Sequence, residues 1–388
     1  MNGHCDARFA ALGDLLAKRL RDGDEAGASV CVISDGVVAV DLWGGFASPG
    51  VPWTRDTLVT TYSLTKTMAA LVALALVDSG LLDPDAPVAR YWPEFGAAGK
   101  EGVLVRHVLG HTSGVCGWDA PVTLEDICDV ERAAALLAAQ EPWFPPGEGS
   151  GYQAVSHGHL LGELVRRVTG RSLGTVLRTE FAEPLGADYW LGAPPDVDSR
   201  VATLVPPPSS GVDYAALDPI AVRTLTNPLI APAVTTTRPF LAAELGGLNG
   251  QGNARSVARL QSVVSHGGVI EGRRYLSAST VERIFDVQAD GVDRVLGAPV
   301  RFGLGYAVEG RTCWWSGFGG SVVLNDLDRR LTFAYVMNRM QPGLINAPNT
   351  VAYLDALRSC LGTEDGPLRR PADAGGTQGR AAERGADS

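Results

Sequence analysis

The chain has 388 residues, of which 45% are hydrophobic and 20% charged, enough to bury a large core in one or two domains. Its formal charge of −10 excludes the clustered basic surface that nucleic acid binding needs. The longest apolar run, Met68 to Val77, is far too short to span a bilayer, which argues against a membrane partner.

The first residues, through Leu16, lack a basic stretch followed by an apolar one, so no secretory signal is expected and a cytoplasmic location is. The six cysteines are scattered without a C-x-x-C pair, a spacing that suits reduced thiols. Residues 7–21 have helical periodicity. Ala28 to Ala47 is rich in Val, Ile and Trp around Ser34-Asp35-Gly36, which predicts two antiparallel strands joined by a tight turn.

Tyr62-Ser63-Leu64-Thr65-Lys66 then heads a strongly apolar helix. Three residues apart on a helix, Ser63 and Lys66 share a face and can touch. A serine hydroxyl is a weak nucleophile until a base takes its proton, and a desolvated lysine can be that base. Only Lys18, Lys66 and Lys100 among 33 basic residues are lysine. Arginine, which never deprotonates, could not serve at position 66.

From 76 to 249 helical pieces alternate with Pro- and Gly-rich turns, including a stiff turn at Pro145 to Gly151 ahead of Tyr152. An amphipathic helix from His157 ends at Gly170. The proline-rich stretch from Val205 to Pro239 is expected to form a binding loop or lid. Helices return at Ser256 to Gly268 and Ser277 to Phe285. Phe302 to Val308, Arg311 to Trp315, Ser321 to Leu324 and Leu331 to Met337 read as strands, and Asn349 to Leu361 as a closing helix. The segment 362–388 is Gly, Ala and charge, and disorder is expected there.

Strands at both ends and helices between them predict an α+β fold. Residues 1–75 and 250–361 would form one antiparallel sheet flanked by terminal helices. Residues 76–249 would form a mostly helical insertion, with the active site in the crevice between the two.

The pattern resembles the serine hydrolases of the β-lactamase fold: class C β-lactamases, penicillin-binding proteins and family VIII carboxylesterases. The likeness runs over roughly residues 10–361. It rests on Ser63-Leu64-Thr65-Lys66, on His111-Thr112-Ser113-Gly114, and on Pro146-Gly147 followed by Tyr152 and Leu160-Leu161-Gly162. Phe302-Gly303-Leu304-Gly305, Gly317-Phe318-Gly319-Gly320-Ser321 and Val336-Met337-Asn338-Arg339-Met340 complete it.

The resemblance implies Ser63 as nucleophile, Lys66 as its proton partner and Tyr152 as the third catalytic group. Beside a cationic Lys66, Tyr152 would be favoured as phenolate. The backbone N–H groups of Ser63 and Phe318 would form the oxyanion hole. Tyr62, Trp315, Ser316 and Gly317 would contact substrate, with Trp315 as an apolar wall. Two departures stand out: Tyr152-Gln153-Ala154 where β-lactamases have Tyr-x-Asn, and Trp315-Ser316-Gly317 where they have Lys-Thr-Gly. The absent amide and ammonium are groups that hold a β-lactam, so the expected substrate is a small-molecule ester. No cofactor or metal is implied.

An amine or alcohol in place of water as acceptor would make the same residues a transacylase. β-Lactam or D-amino acid peptide cleavage ranks below both. A non-catalytic binding protein would be expected to have lost Ser63, Lys66 or Tyr152. Gly170-Arg171-Ser172-Leu173-Gly174 matches the α/β-hydrolase G-x-S-x-G pattern, but helices on both sides make Ser172 an N-cap. His107 and His111 fall in a predicted loop and read as structural, and with His157 and His159 they lack H-E-x-x-H spacing for a metal.

Overall fold

The computed structural model describes residues 1–207 and 217–362. The expected disorder of the tail therefore lies outside the described residues from 363 onward, as does part of the expected lid. Strands from both ends of the chain build one antiparallel sheet. In chain order they are β1 (Asn2–Cys5), β2 (Gly27–Ser34), β3 (Val37–Ser48), β4 (Ala289–Val292), β5 (Pro299–Phe302), β6 (Ala307–Glu309), β7 (Thr312–Ser316), β8 (Val322–Asp326) and β9 (Leu331–Met337). Their spatial order is β1-β3-β2-β9-β8-β7-β6-β5-β4, with Val51–Pro52 pairing against β3 as a further short strand.

The predicted hairpin forms across a two-residue turn, Ser34 opposite Val37. Asp35 (φ 49°) and Gly36 (φ 78°) both take left-handed backbone. That turn matches the right-handed twist of the strands it joins. The two halves of the sheet meet where β2 pairs with β9, Ala28 against Met337 through Ser34 against Leu331. Every residue of β9 and all but the last of β2 are buried, so both faces of the sheet centre are covered.

The longer helices are α1 (Ala10–Asp22), α2 (Thr65–Asp78), α3 (Val130–Ala139), α4 (Ser156–Thr169), α5 (Ala254–Ser265) and α6 (Pro348–Leu361). Helix α5 lies across β2, β9 and β8, while α1 packs on α6. Left-handed glycines end three of them: Gly23 after α1, Gly170 after α4 and Gly362 after α6. Helix α2 is buried on all sides from Thr65 to Leu74 and touches both α4 and α5. This explains its uninterrupted apolar sequence, and it puts the head of α2 where sheet and helices meet.

Three expectations change. Phe302 to Val308 is two strands with Gly303 to Tyr306 turning between them, the Gly303 N–H bonding the Tyr306 carbonyl at 2.9 Å. Gly305 (φ 84°) lies where a Cβ would come within 2.4 Å of Ala70 on α2, so close packing on that helix bends the chain. Within the stretch 76–249 expected to alternate helical pieces with turns, the chain between Leu82 and Gly96 forms only 3₁₀ turns, Val88–Arg90 and Pro93–Gly96, as its prolines dictate. Within the proline-rich stretch, Pro219–Thr226 is a helix capped by Asp218 and Pro232–Thr236 a 3₁₀ turn. Ser172 caps Leu173–Leu177 through the Thr175 N–H, as its sequence context predicts.

Candidate active site

Ser63 stands in a 3₁₀ turn, Tyr62–Leu64, that runs directly into α2. Tyr62, just before it, holds left-handed backbone (φ 46°), a strain of about 1–3 kcal/mol that the surroundings must enforce. They do so through Thr61 and Thr65. The Thr61 N–H donates to the Gly250 carbonyl at 2.9 Å, and the Gly250 N–H donates to Thr65 Oγ1 at 2.9 Å. The Tyr189 hydroxyl closes this buried network, 2.9 Å from Thr61 Oγ1.

Lys66 is 1% exposed, and three oxygens surround its Nζ. The Ala154 and Gly247 carbonyls lie 2.7 Å away and Ser63 Oγ 3.2 Å away. Burial, with no carboxylate partner among the described residues, drives its pKa well below the ordinary lysine value. A neutral amine has two N–H donors and one lone pair. Two of its neighbours are carbonyls, which only accept, so both protons are taken and the lone pair is left for the Ser63 hydroxyl proton.

Gly247 reaches Lys66 because α4 crosses it very closely: a Cβ on Gly158 would come within 2.2 Å of the Gly247 nitrogen.

The Tyr152 ring lies 4.8 Å from Lys66 Nζ, and its phenol interacts with the Ser63 hydroxyl. The Trp315 indole N–H donates to the Tyr152 oxygen at 3.3 Å. Burial pushes the phenol pKa far above its ordinary value, outweighing the hydrogen bonds with Ser63 and Trp315 that pull it down. Burial thus works against the phenolate expected at Tyr152, just as it works against the charged form of Lys66.

Trp315 is 3% exposed and stands behind Tyr152, its ring tilted 46° to the phenol ring with centroids 5.2 Å apart, instead of walling the pocket. Ser316 is also buried, its hydroxyl without a partner among the described residues. Gly317 serves by having no side chain, since a Cβ there would come within 2.2 Å of the Thr61 carbonyl. That closeness brings the end of β7 against the Ser63 turn. The backbone N–H groups of Ser63 and Phe318 have no acceptor among the described residues, which leaves both free for an anionic oxygen.

An open pocket of about 820 Å³, its solvent-facing mouth included, begins at Ser63 and Tyr152. Tyr62 and Phe318, packed edge to face at 5.7 Å, form one side. Leu225, Leu229, Ile230 and Leu344 lie on others, and no charged side chain among the described residues lines it. Leu225, Leu229 and Ile230 lie in the proline-rich stretch expected to form a binding loop, although no motif singled out these residues within it. His111, read from sequence as a loop residue, packs its ring on Tyr152 at 5.0 Å. Among the described residues no cluster of His, Cys, Asp or Glu could hold a metal.

The fold is that of the β-lactamases and penicillin-binding proteins, and the protein is a serine hydrolase of the β-lactamase-like family. The Beta-lactamase family profile matches residues 12–358, and the chain belongs to that family. It is 35% identical over 362 residues to the esterase/β-lactamase LipL of Mycobacterium tuberculosis, covering 88% of this chain and 84% of LipL. A family VIII carboxylesterase structure superposes with a TM-score of 0.87 at 38% identity, covering 92% of this chain and 99% of the other. A penicillin-binding protein homologue from Caulobacter crescentus gives 0.84 at 35% identity, with the same coverage.

Proposed function

We propose that the protein hydrolyses small, uncharged carboxylic esters through a covalent acyl-Ser63 intermediate. The observation that carries this reading is the set of contacts at Lys66: two carbonyl acceptors and the Ser63 hydroxyl around one buried amine. In the first step the Ser63 proton passes to the Lys66 lone pair as Oγ bonds to the ester carbonyl carbon. The carbonyl π pair moves onto oxygen, where the N–H groups of Ser63 and Phe318 receive it. Collapse breaks the bond to the alcohol, which takes a proton from the Lys66–Tyr152 pair. Water then attacks the acyl-serine, giving its proton to the same pair, and Ser63 regains its own.

The apolar lining supports an ester over a β-lactam, because among the described residues no cationic side chain lines the pocket to hold a carboxylate. Family VIII carboxylesterase likeness supports the same choice. Six free cysteines suit a reducing, cytoplasmic setting.

Intact mass followed in time after mixing with an activated short-chain ester tests the reading. An acyl adduct that forms on the wild type, is absent in Ser63→Ala and decays in water is the expected result. An adduct that persists until an amine or alcohol is supplied would make the protein a transacylase. No adduct would overturn the acyl-enzyme itself.

A further inference from the structure

Tyr152 lies at the centre of a run of three consecutive amides, and each has its own acceptor. The Gly151 N–H donates to the His111 carbonyl at 2.9 Å, and the Tyr152 N–H donates to Asp293 Oδ1 at 3.2 Å. The Gln153 N–H points at His111 Nδ1 from 3.2 Å, and Gln153 Oε1 lies 3.1 Å from the same nitrogen. Either neutral tautomer of the ring therefore bonds to Gln153. The Gln153 side-chain amide is itself oriented by donating to Ser113 Oγ at 3.0 Å. His111 thus grips the chain on both sides of Tyr152, once by its backbone and once by its ring.

Asp293 is fully buried, and its Oδ1 also accepts the Val295 and Leu296 N–H groups at 2.9 and 2.8 Å. His111 holds left-handed backbone (φ 60°), which turns its ring inward among Tyr152, His157 and Phe302. Neither the ring of His111 nor the carboxylate of Asp293 reaches Ser63 in any contact among the described residues.

We infer that His111, with Asp293 on the other side, is a positioning residue that fixes the Tyr152 backbone and so the place of its phenol oxygen beside Ser63. This rests on the reading of Tyr152 as a proton-transfer group. A phenol oxygen at the far end of a ring magnifies any tilt of its backbone. A misplacement of ~1 Å from the reacting atoms can lower the rate about 100-fold.

Two substitutions separate anchoring from packing. His111→Asn removes the ring but offers a side-chain amide that can bond to Gln153 through oxygen or nitrogen, and Asn tolerates left-handed backbone. His111→Phe keeps a ring of similar shape and loses the bond. With an activated ester, Asn is expected to retain most of kcat. Phe is expected to lower it about 100-fold with KM unchanged, because the acyl pocket is untouched.

The inference is overturned if the Phe variant, shown folded by its melting curve, keeps wild-type kcat, or if the folded Asn variant loses it. Should either variant fail to fold, the wild-type protein decides: the amides of Gly151, Tyr152 and Gln153 should exchange as slowly as those of β9, and rapid exchange at Gln153 would refute the anchor. Tyr152→Phe is the control. If it acylates at the wild-type rate, the reading of Tyr152 fails instead of its positioning.

Discussion

At the scale of single residues, the chemistry rests on one lysine held where charge is unwelcome. Lys66 is buried with two carbonyls and a hydroxyl and, among the described residues, no carboxylate, so its folded pKa falls well below the ordinary value. The amine works as a base only when neutral, and activity must therefore rise with pH through that depressed value. Tyr152 titrates in the opposite sense, raised by burial, and stays protonated across the working range. His111 and His157 face the same space and are also held well below the usual imidazole range by burial, so neither adds a charge near neutrality. Single-turnover acylation should accordingly show an acid limb and no alkaline limb before the protein unfolds. A rate that falls as pH rises from neutral to mildly alkaline would mean that Lys66 acts as the ammonium. Lys66→Arg should abolish acylation, since a guanidinium keeps its proton.

At the scale of elements, helix α4 shows how close packing delivers a carbonyl to the site. Gly158 faces Gly246 and Gly247, and an added Cβ would lie 2.2 Å from backbone nitrogen. Gly158→Ala should push the Gly247 carbonyl off Lys66, destabilise the fold by about 1–3 kcal/mol and sharply lower activity. Gly162, one turn along the same helix, has nothing within 4 Å of its missing Cβ. Gly162→Ala should leave activity intact and stabilise by up to about 1 kcal/mol through helix propensity. Denaturant melts of the two variants compare them directly, and equal effects would refute the packing argument.

The same contrast explains what the sequence disclosed. The Asp35-Gly36 hairpin, the buried α2 and the Ser63–Lys66 pair were legible because residues within a few positions determine them. Strands β1 and β4 were not, because they lie at the ends of the sheet, with most of their side chains exposed, and only pairing with a neighbour defines them. The anchoring of Tyr152 was also hidden. It joins partners 42 and 141 residues apart, a distance no local pattern reports. Trp315 was expected from its motif to wall the pocket, and its burial behind the Tyr152 ring could be seen only once β7 was in register.

At the scale of the molecule, the pocket is completed by a part of the chain that carries none of the catalytic groups. The helix Pro219–Thr226 and the residues after it, Pro228 to Ile230, roof the pocket, with Leu229 still 70% exposed. Asn227 fastens this roof. Its side chain donates to the Trp118 and Ala120 carbonyls at 3.0 and 2.9 Å and accepts the Val122 N–H at 2.9 Å. Arg223 adds a stacking contact over Trp143 at 4.0 Å. The roof touches the acyl pocket but not Lys66 or the Thr61–Gly250 network, so loosening it should change substrate binding and spare the chemistry. Each lost hydrogen bond is worth about 1 kcal/mol net, and about 1.4 kcal/mol corresponds to a tenfold change in affinity. Asn227→Ala should therefore raise KM about tenfold for esters whose acyl chains reach Leu225 and Ile230, with kcat preserved. An acetyl ester, too short to reach the roof, should be turned over as by the wild type. Steady-state kinetics across a series of acyl lengths provides the test. A uniform loss at every length would place Asn227 in support of the catalytic turn, and no change at any length would show that the roof does not contact substrate.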